Sequence, residues 1–370
     1  MVRRLLALNG IAAIFAVVHH SVNWGITAMF WWAPQYRTGA SVPDYAALGG
    51  LQYFAIRAID QVVVSAVPAF LFVSGYFVAS SVGARPTLAW DNVVSRVRTL
   101  LPAYLLWSLL VIGFNMVNGA QYTWSRVAWA LVTGGAAAPF YYVPLVVELY
   151  VLSRWLAPWV RRSAGLVLLV TGLAQASVAL VRSCSVAALD ACTPDHAVAR
   201  LAVNSQLLSY CFWFALGLAA SFHMPAFKAT LRRLRPVLPW LLVALFVAAA
   251  GEWEVVRRLS GRTWVPSGVG IGDNLFELAL LLTYLAHDDG PLPWAAPLER
   301  VGVMSYGIYL VHMPVLEVAA RVLYHLSPFL LAYQVVLMAA VSAVGVGAPM
   351  LLMRFAKSSP LRRYYAYAFG

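Results

Sequence analysis

Two adjacent histidines, His19 and His20, close an apolar run, LNGIAAIFAVVHHS, at residues 8–21. An imidazole is costly to bury in hydrocarbon unless something uses or satisfies it. Neutral imidazole accepts a proton from a hydroxyl near neutral pH, so general-base chemistry is what this residue type offers. Neighbouring helical residues point about 100° apart, so the two rings cannot serve one small site equally. One is expected to be the working group and the other its neighbour. A third histidine, His312, lies mid-run in SYGIYLVHMP. Ser305, Tyr309 and His312 fall at i, i+4 and i+7, which puts hydroxyl, phenol and imidazole on one helical face. Such a stripe suggests an internal polar cavity. Glu148 and Glu277 are carboxylates inside other apolar runs. Each can pair a histidine or stay protonated as a structural acid. Glu317 and Arg321, four residues apart, are expected to pair with each other.

The elements that must hold these groups are membrane spans. Of 370 residues, 62% are hydrophobic and 11% charged, and the mean hydropathy is +0.76. Soluble domains carry roughly twice that charged fraction. The expected fold is all-α: a polytopic integral membrane protein of about ten transmembrane helices. The spans are read at 5–31, 60–81, 100–117, 138–159, 164–182, 204–224, 237–253, 271–287, 302–324 and 329–353, each near the length a bilayer requires. The stretch 119–137 is ambiguous. The chain reads as one membrane-embedded domain over 1–370, with no appended soluble domain. The net charge of +12 sits in short loops beside apolar runs. It therefore indicates topology and anionic lipid rather than nucleic acid. Sixteen basic residues fall on the segments expected inside and eight on those expected outside, which predicts cytoplasmic termini. The excess of arginine over lysine, twenty-four to two, fits a GC-rich bacterial genome.

Two connecting segments carry further expectations. WDNVVSRVRTLL at 90–101 alternates an apolar face with a polar one and reads as an interfacial helix, or as the start of the third span. Cys184 and Cys192 flank an outer loop where a disulfide can form. The three cysteines make no metal pattern. Pro68, Gly75, Pro144 and Pro314 are expected to interrupt spans and free backbone groups.

Five segments together resemble the acyltransferase-3 family of bacterial membrane O-acyltransferases. They are PAFLFVSGYFVASS at 68–81, RVRTLLPAYLLW at 96–107, YYVPLVVELYVL at 141–152, FWFALGLAAS at 212–221 and VGVMSYGIYLVHMPV at 301–315. The likeness runs from Leu8 to about Val315, and SYGIYLVHMP is its most specific piece. The family's first span carries a basic residue and, after ten residues, a histidine. Gly10, Ile11 and Ala12 fit that frame and the histidine falls on His20, but the basic position holds Asn9. Arg4, about one and a half turns earlier, is the candidate substitute.

The resemblance implies transfer of an acyl group, acetyl by default, from acyl-CoA to a hydroxyl of a sugar, glycan or glycosylated acceptor. Acyl-CoA is then a co-substrate, with no bound cofactor and no metal. His20 is the expected general base, supported by His312, with a carboxylate such as Glu148 orienting a ring. Arg96 and Arg98 are donor-phosphate candidates, Asn9 marks the altered donor position, and Tyr76, Ser305 and Tyr309 line the pocket with Glu148. The expected partners are the two substrates and membrane lipids, and the expected location is the bacterial cytoplasmic membrane. A second reading from the sequence is a non-catalytic exporter or flippase of a lipid-linked sugar or polysaccharide subunit. A haem protein ligated by span histidines lacks a second pair and a spacing signature. A proton-coupled transporter lacks repeats and paired broken helices.

Overall fold

The computed structural model describes residues 2–33, 50–83, 88–187, 204–268, 270–288, 290 and 292–370. Among them the regular structure is helical, with no strand. This is an all-α, polytopic membrane protein. The helices are α1 (Val2–Thr27, prolonged by a π-helical turn over Ala28–Trp32), α2 (Leu51–Val63), α3 (Ala66–Val82), α4 (Trp90–Val117), α5 (Trp124–Thr133), α6 (Tyr142–Val186), α7 (Gln206–Phe222), α8 (Met224–Leu234), α9 (Leu238–Ser260), α10 (Ile271–Ala286), α11 (Ala295–Val303), α12 (Ser305–Leu326), α13 (Gln334–Ser358) and α14 (Tyr365–Phe369). Among the described residues, seven helical segments are long and apolar enough to cross a membrane, or eight if α7 and α8, bent by 107°, make one span.

The difference from ten has two local causes. Helix α6 is 45 residues long. Straight, it would reach about 68 Å, over twice the hydrocarbon thickness of a bilayer. Its backbone leaves helical geometry at Ser163 (φ −146°, ψ 57°), so it is two helices joined at a kink, and the crossings read at 138–159 and 164–182 follow each other with no loop between them. Helix α10, at 16 residues, falls short of the roughly 20 that a full crossing takes.

Three other expectations are revised. The second span does not begin at residue 60: apolar helix extends over Leu51–Val82, with a turn at Val64 and Ser65 between α2 and α3. Arg57 therefore lies within α2, not in an outer loop. The segment 90–101 is the first part of α4, continuous through Pro102, and not a separate surface helix. Pro68 and Pro314 likewise sit inside unbroken α3 and α12. The ambiguous 119–137 region forms α5, whose ten residues rise only about 15 Å and cannot span. The Thr123 hydroxyl caps it by accepting from the Arg126 amide at 3.3 Å. Gly134 ends it in the left-handed region (φ 80°), where any side chain would also meet the Tyr141 backbone. The Cys184–Cys192 pairing lies outside the described residues.

The chain divides into two compact units. Unit 1 comprises Met1–Leu8, Val64–Val97 and Leu145–Ala295. Its tightest helix pair is α3 with α7. An added Cβ at Gly75 would lie 2.1 Å from the Phe214 carbonyl oxygen, and one at Gly217 would lie 2.1 Å from that of Phe72. Two glycines thus let two backbones touch reciprocally, the packing that membrane helices use where no hydrophobic force separates helix from lipid. The segments at 68–81 and 212–221 therefore carry structure. Gly217→Val is expected to cost at least about 1–3 kcal/mol by overpacking, seen as a lower melting temperature in detergent.

Unit 1 also holds Arg4. Its guanidinium donates to the carbonyls of His287, Asp288 (3.3 Å) and Gly290 (2.9 Å) and lies over the Tyr284 ring. The Tyr284 hydroxyl donates back to the Arg4 carbonyl at 2.9 Å. Arg4 thus caps the carboxyl end of α10, where a cation meets the unsatisfied carbonyls. Arg4→Met is expected to lower thermal stability while leaving acetyl-CoA affinity unchanged, as measured by isothermal titration in detergent.

Unit 2 comprises Asn9–Val63, Arg98–Pro144 and Ala296–Gly370. It contains most of α1, all of α2, the later part of α4, α5, and α11–α14. Gly10 brings α1 onto α11: a Cβ there would lie 2.0 Å from the Leu298 carbonyl oxygen. The carboxyl end is tied in as well, since the Trp107 indole donates to the Ala368 carbonyl at 2.8 Å. A cavity of about 700 Å³ lies among α4, α12 and α13, lined only by apolar side chains such as Trp107, Val311, Pro314 and Val344. None of the described histidines lines it.

Candidate active site

All three histidines singled out in the sequence fall in unit 2, and the 100° step between His19 and His20 sends them to different partners. The Nδ1 of His19 meets Oδ1 of Asp60 on α2 at 2.8 Å. The His20 ring faces that of His312 on α12, with centroids 5.3 Å apart, while the His19 and His20 rings lie edge to face at 5.2 Å. Asp60, His19, His20 and His312 thus form a chain of groups across three helices.

His312 is fully buried, and its tautomer can be read from its contacts. Its Nδ1 lies 2.6 Å from the Tyr309 carbonyl oxygen and 3.2 Å from that of Ile308. A carbonyl only accepts, so Nδ1 carries the hydrogen. The neutral ring then keeps a lone pair on Nε2. That atom is buried without a hydrogen-bond partner, and so is Nδ1 of His20. A buried imidazole nitrogen left without a partner costs free energy that a purely structural residue would not carry. Among the described residues no group of three His, Cys, Asp or Glu side chains is arranged to hold a metal ion.

The other expected site residues divide between the units. In unit 2, Tyr309 is buried beside His312, with centroids 6.1 Å apart, and its hydroxyl donates to the Pro139 carbonyl. The phenol therefore fixes the turn at 138–141, and its polar stripe with His312 does not leave the hydroxyl open. The Tyr306 hydroxyl donates to the Leu100 carbonyl at 2.7 Å, so two tyrosines of the SYGIYLVHMP segment pin α12 in place. Ser305, half-buried, is the first residue of α12. Asn9 is half-buried too, and its Oδ1 is buried without a partner. Arg98 is exposed.

Unit 1 contains Tyr76, Arg96, Glu148 and Glu277. Arg96 donates to the Phe77 carbonyl at 3.2 Å and the Ser81 hydroxyl at 3.1 Å, and stacks over Tyr150. Tyr76 is half-buried on α3, Glu148 exposed on α6, and Glu277 buried on α10. The Glu317–Arg321 pair forms as expected, at 2.7 Å. The carboxylate that holds a histidine in unit 2 is Asp60, which lies outside the residues expected at the site. Arg57, Asp60 and Gln61 share one face of α2 and all are buried, so three polar residues turn inward; their i, i+3, i+4 spacing is the one trace of this that the sequence carries.

A sequence model of the acyltransferase-3 family, described as an acyltransferase domain, matches residues 5–353. The chain belongs to that family and is a membrane acyltransferase. The match extends past the resembling segments through most of α13. No curated protein and no solved structure matches the chain.

Proposed function

We propose that this membrane acyltransferase moves an acyl group, acetyl by default, from acyl-CoA to a hydroxyl of a sugar or glycan acceptor, with His20 as general base and His312 as its positioning partner. The observation that supports this reading most is the pair of complementary buried nitrogens. His312 Nε2 is an acceptor, because the helix carbonyls hold the proton on Nδ1. The two nitrogens are not hydrogen-bonded to each other in the resting arrangement, but their rings face at 5.3 Å. A rotation of the His20 ring lets the tautomer with its proton on Nδ1 donate to His312 and keep the lone pair on its own Nε2. This arrangement repeats the logic of an acid that orients a catalytic imidazole, with a second imidazole in the acid's place.

In the reaction the acceptor O–H bond breaks as His20 Nε2 takes its proton, and the oxygen attacks the thioester carbonyl carbon. The carbon–sulfur bond then breaks, and the imidazolium returns the proton to the departing thiolate. The products are an ester and free CoA thiol. Donor phosphates are assigned to Arg98, whose side chain is exposed, rather than to Arg96, which is engaged on α3. Asn9 takes the family's basic position without a charge, and the Arg4 guanidinium is engaged by the carbonyls that follow α10. The charge bias supports cytoplasmic termini in a bacterial cytoplasmic membrane.

The test is to incubate membranes containing the protein with acetyl-labelled acetyl-CoA. The proposal expects label in a glycan fraction, released by mild alkali as an ester would be. Label that stays with CoA, or that resists alkali as an amide, would refute it.

A further inference from the structure

We infer that Asp60 is a positioning residue that acts through His19 on His20, so that Asp60, His19, His20 and His312 accept the substrate proton as one unit. This rests on the reading of His20 as the base. Asp60 is 1% exposed, on α2, and its carboxylate meets His19 Nδ1 at 2.8 Å. The His19 ring in turn stands edge-on to His20. His19 is therefore fixed at one end by a carboxylate and bears at the other on the ring that takes the proton.

Two consequences follow from that geometry. The first is steric: a His19 ring held by Asp60 limits rotation of the adjacent His20 ring, which is the pre-organisation a base needs. The second is electrostatic. An imidazolium formed on His20 lies between His19 and His312, two rings that offer it no negative charge. Asp60 supplies that charge one ring away, in surroundings where it is only weakly screened. Of the other charged or titratable groups on these helices, Arg57 shares the Asp60 face of α2 and Tyr309 stands beside His312 on α12. Helix α2 also carries Tyr53, and α12 carries the Glu317–Arg321 pair, Tyr324, His325 and Tyr306, which is held by Leu100. Arg57 donates to Gln61, and the Tyr309 hydroxyl is held by Pro139.

A structural role is the competing explanation, since the buried Asp60 shares its helix face with the buried Arg57. Asp60→Asn separates the two, because the amide oxygen can still accept from His19 while the charge is removed. His19→Asn is the companion, because its amide can still donate to Asp60 while the ring is removed.

The experiment measures thiol release from acetyl-CoA by purified protein in detergent across pH 5–9. Wild type, Asp60→Asn, His19→Asn, the double variant and His20→Ala are compared. The inference expects kcat to fall roughly 10- to 100-fold in each single variant with little change in KM. In Asp60→Asn the rising limb of the pH profile should move to lower pH by about one unit, since the imidazolium loses a stabilising charge. The double variant should be no worse than the poorer single one. If Asp60→Asn does not yield folded protein, the kcat and KM of His19→Asn decide the matter. Wild-type kcat and an unmoved pH limb, in variants measured beside an inactive His20→Ala, would overturn this inference and leave His20 as the base. Full activity in His20→Ala would instead overturn the reading on which it rests.

Discussion

His20→Ala should lower the turnover of thiol release from acetyl-CoA by about 10²–10⁴-fold, the usual worth of a positioned general base. The KM for acetyl-CoA should stay within a few-fold, because the ring acts on the acceptor proton and not on the donor's phosphates. Loss confined to kcat is the mark of an interaction made in the transition state. The fold should tolerate the change. His20 is only partly buried and its Nδ1 has no hydrogen-bond partner to strand. Steady-state kinetics with a thiol-reactive chromophore, beside a melting curve for each protein, check both halves of this expectation.

His312→Phe carries the second largest effect, about 10²-fold or more in kcat, by analogy with removing the group that orients a catalytic imidazole. Phenylalanine keeps a ring in a fully buried position, so packing changes little. What disappears is the lone pair on Nε2 and the Nδ1 hydrogen bond to the Tyr309 carbonyl. Without that acceptor nothing on α12 selects the His20 tautomer that leaves Nε2 basic. His312→Gln is the control: its side-chain oxygen can accept from His20, so partial recovery of kcat relative to His312→Phe is expected. The same kinetic assay measures it. Equal rates in the two variants would leave His312 without a positioning role.

What the sequence makes legible follows from hydropathy contrast. An imidazole in the middle of an apolar run stands out against its neighbours, and both His20 and His312 are visible that way. The helical step of 100° also foretells that His19 and His20 have separate partners, as the structure shows. Asp60 is not legible by the same means. It lies with Arg57 and Gln61 at the apolar edge of a span, where charges ordinarily face water. The helix begins at Leu51 and turns all three inward. Hydropathy reports how polar a segment is, not which face it buries, so the apolar helix begins nine residues before the expected start at residue 60.

Other differences have equally local origins. Gly75 and Gly217 lie in segments that resemble the family, yet their part is the backbone contact between α3 and α7. Only three-dimensional neighbours reveal that. Arg4 lies near Asn9 in sequence and looks able to replace a missing cation, but the carbonyls at the end of α10 claim its guanidinium. The two crossings read at 138–159 and 164–182 meet at Ser163, where the backbone leaves helical geometry without a connecting loop.

The most direct test of the central claim is thiol release from acetyl-CoA by the purified protein in detergent, with wild type, His20→Ala and His19→Ala side by side. Release by wild type, background release by His20→Ala and a reduced but measurable rate in His19→Ala are the predicted result. Undiminished release by His20→Ala, or none by a folded wild-type protein supplied with a hydroxyl acceptor, would contradict it.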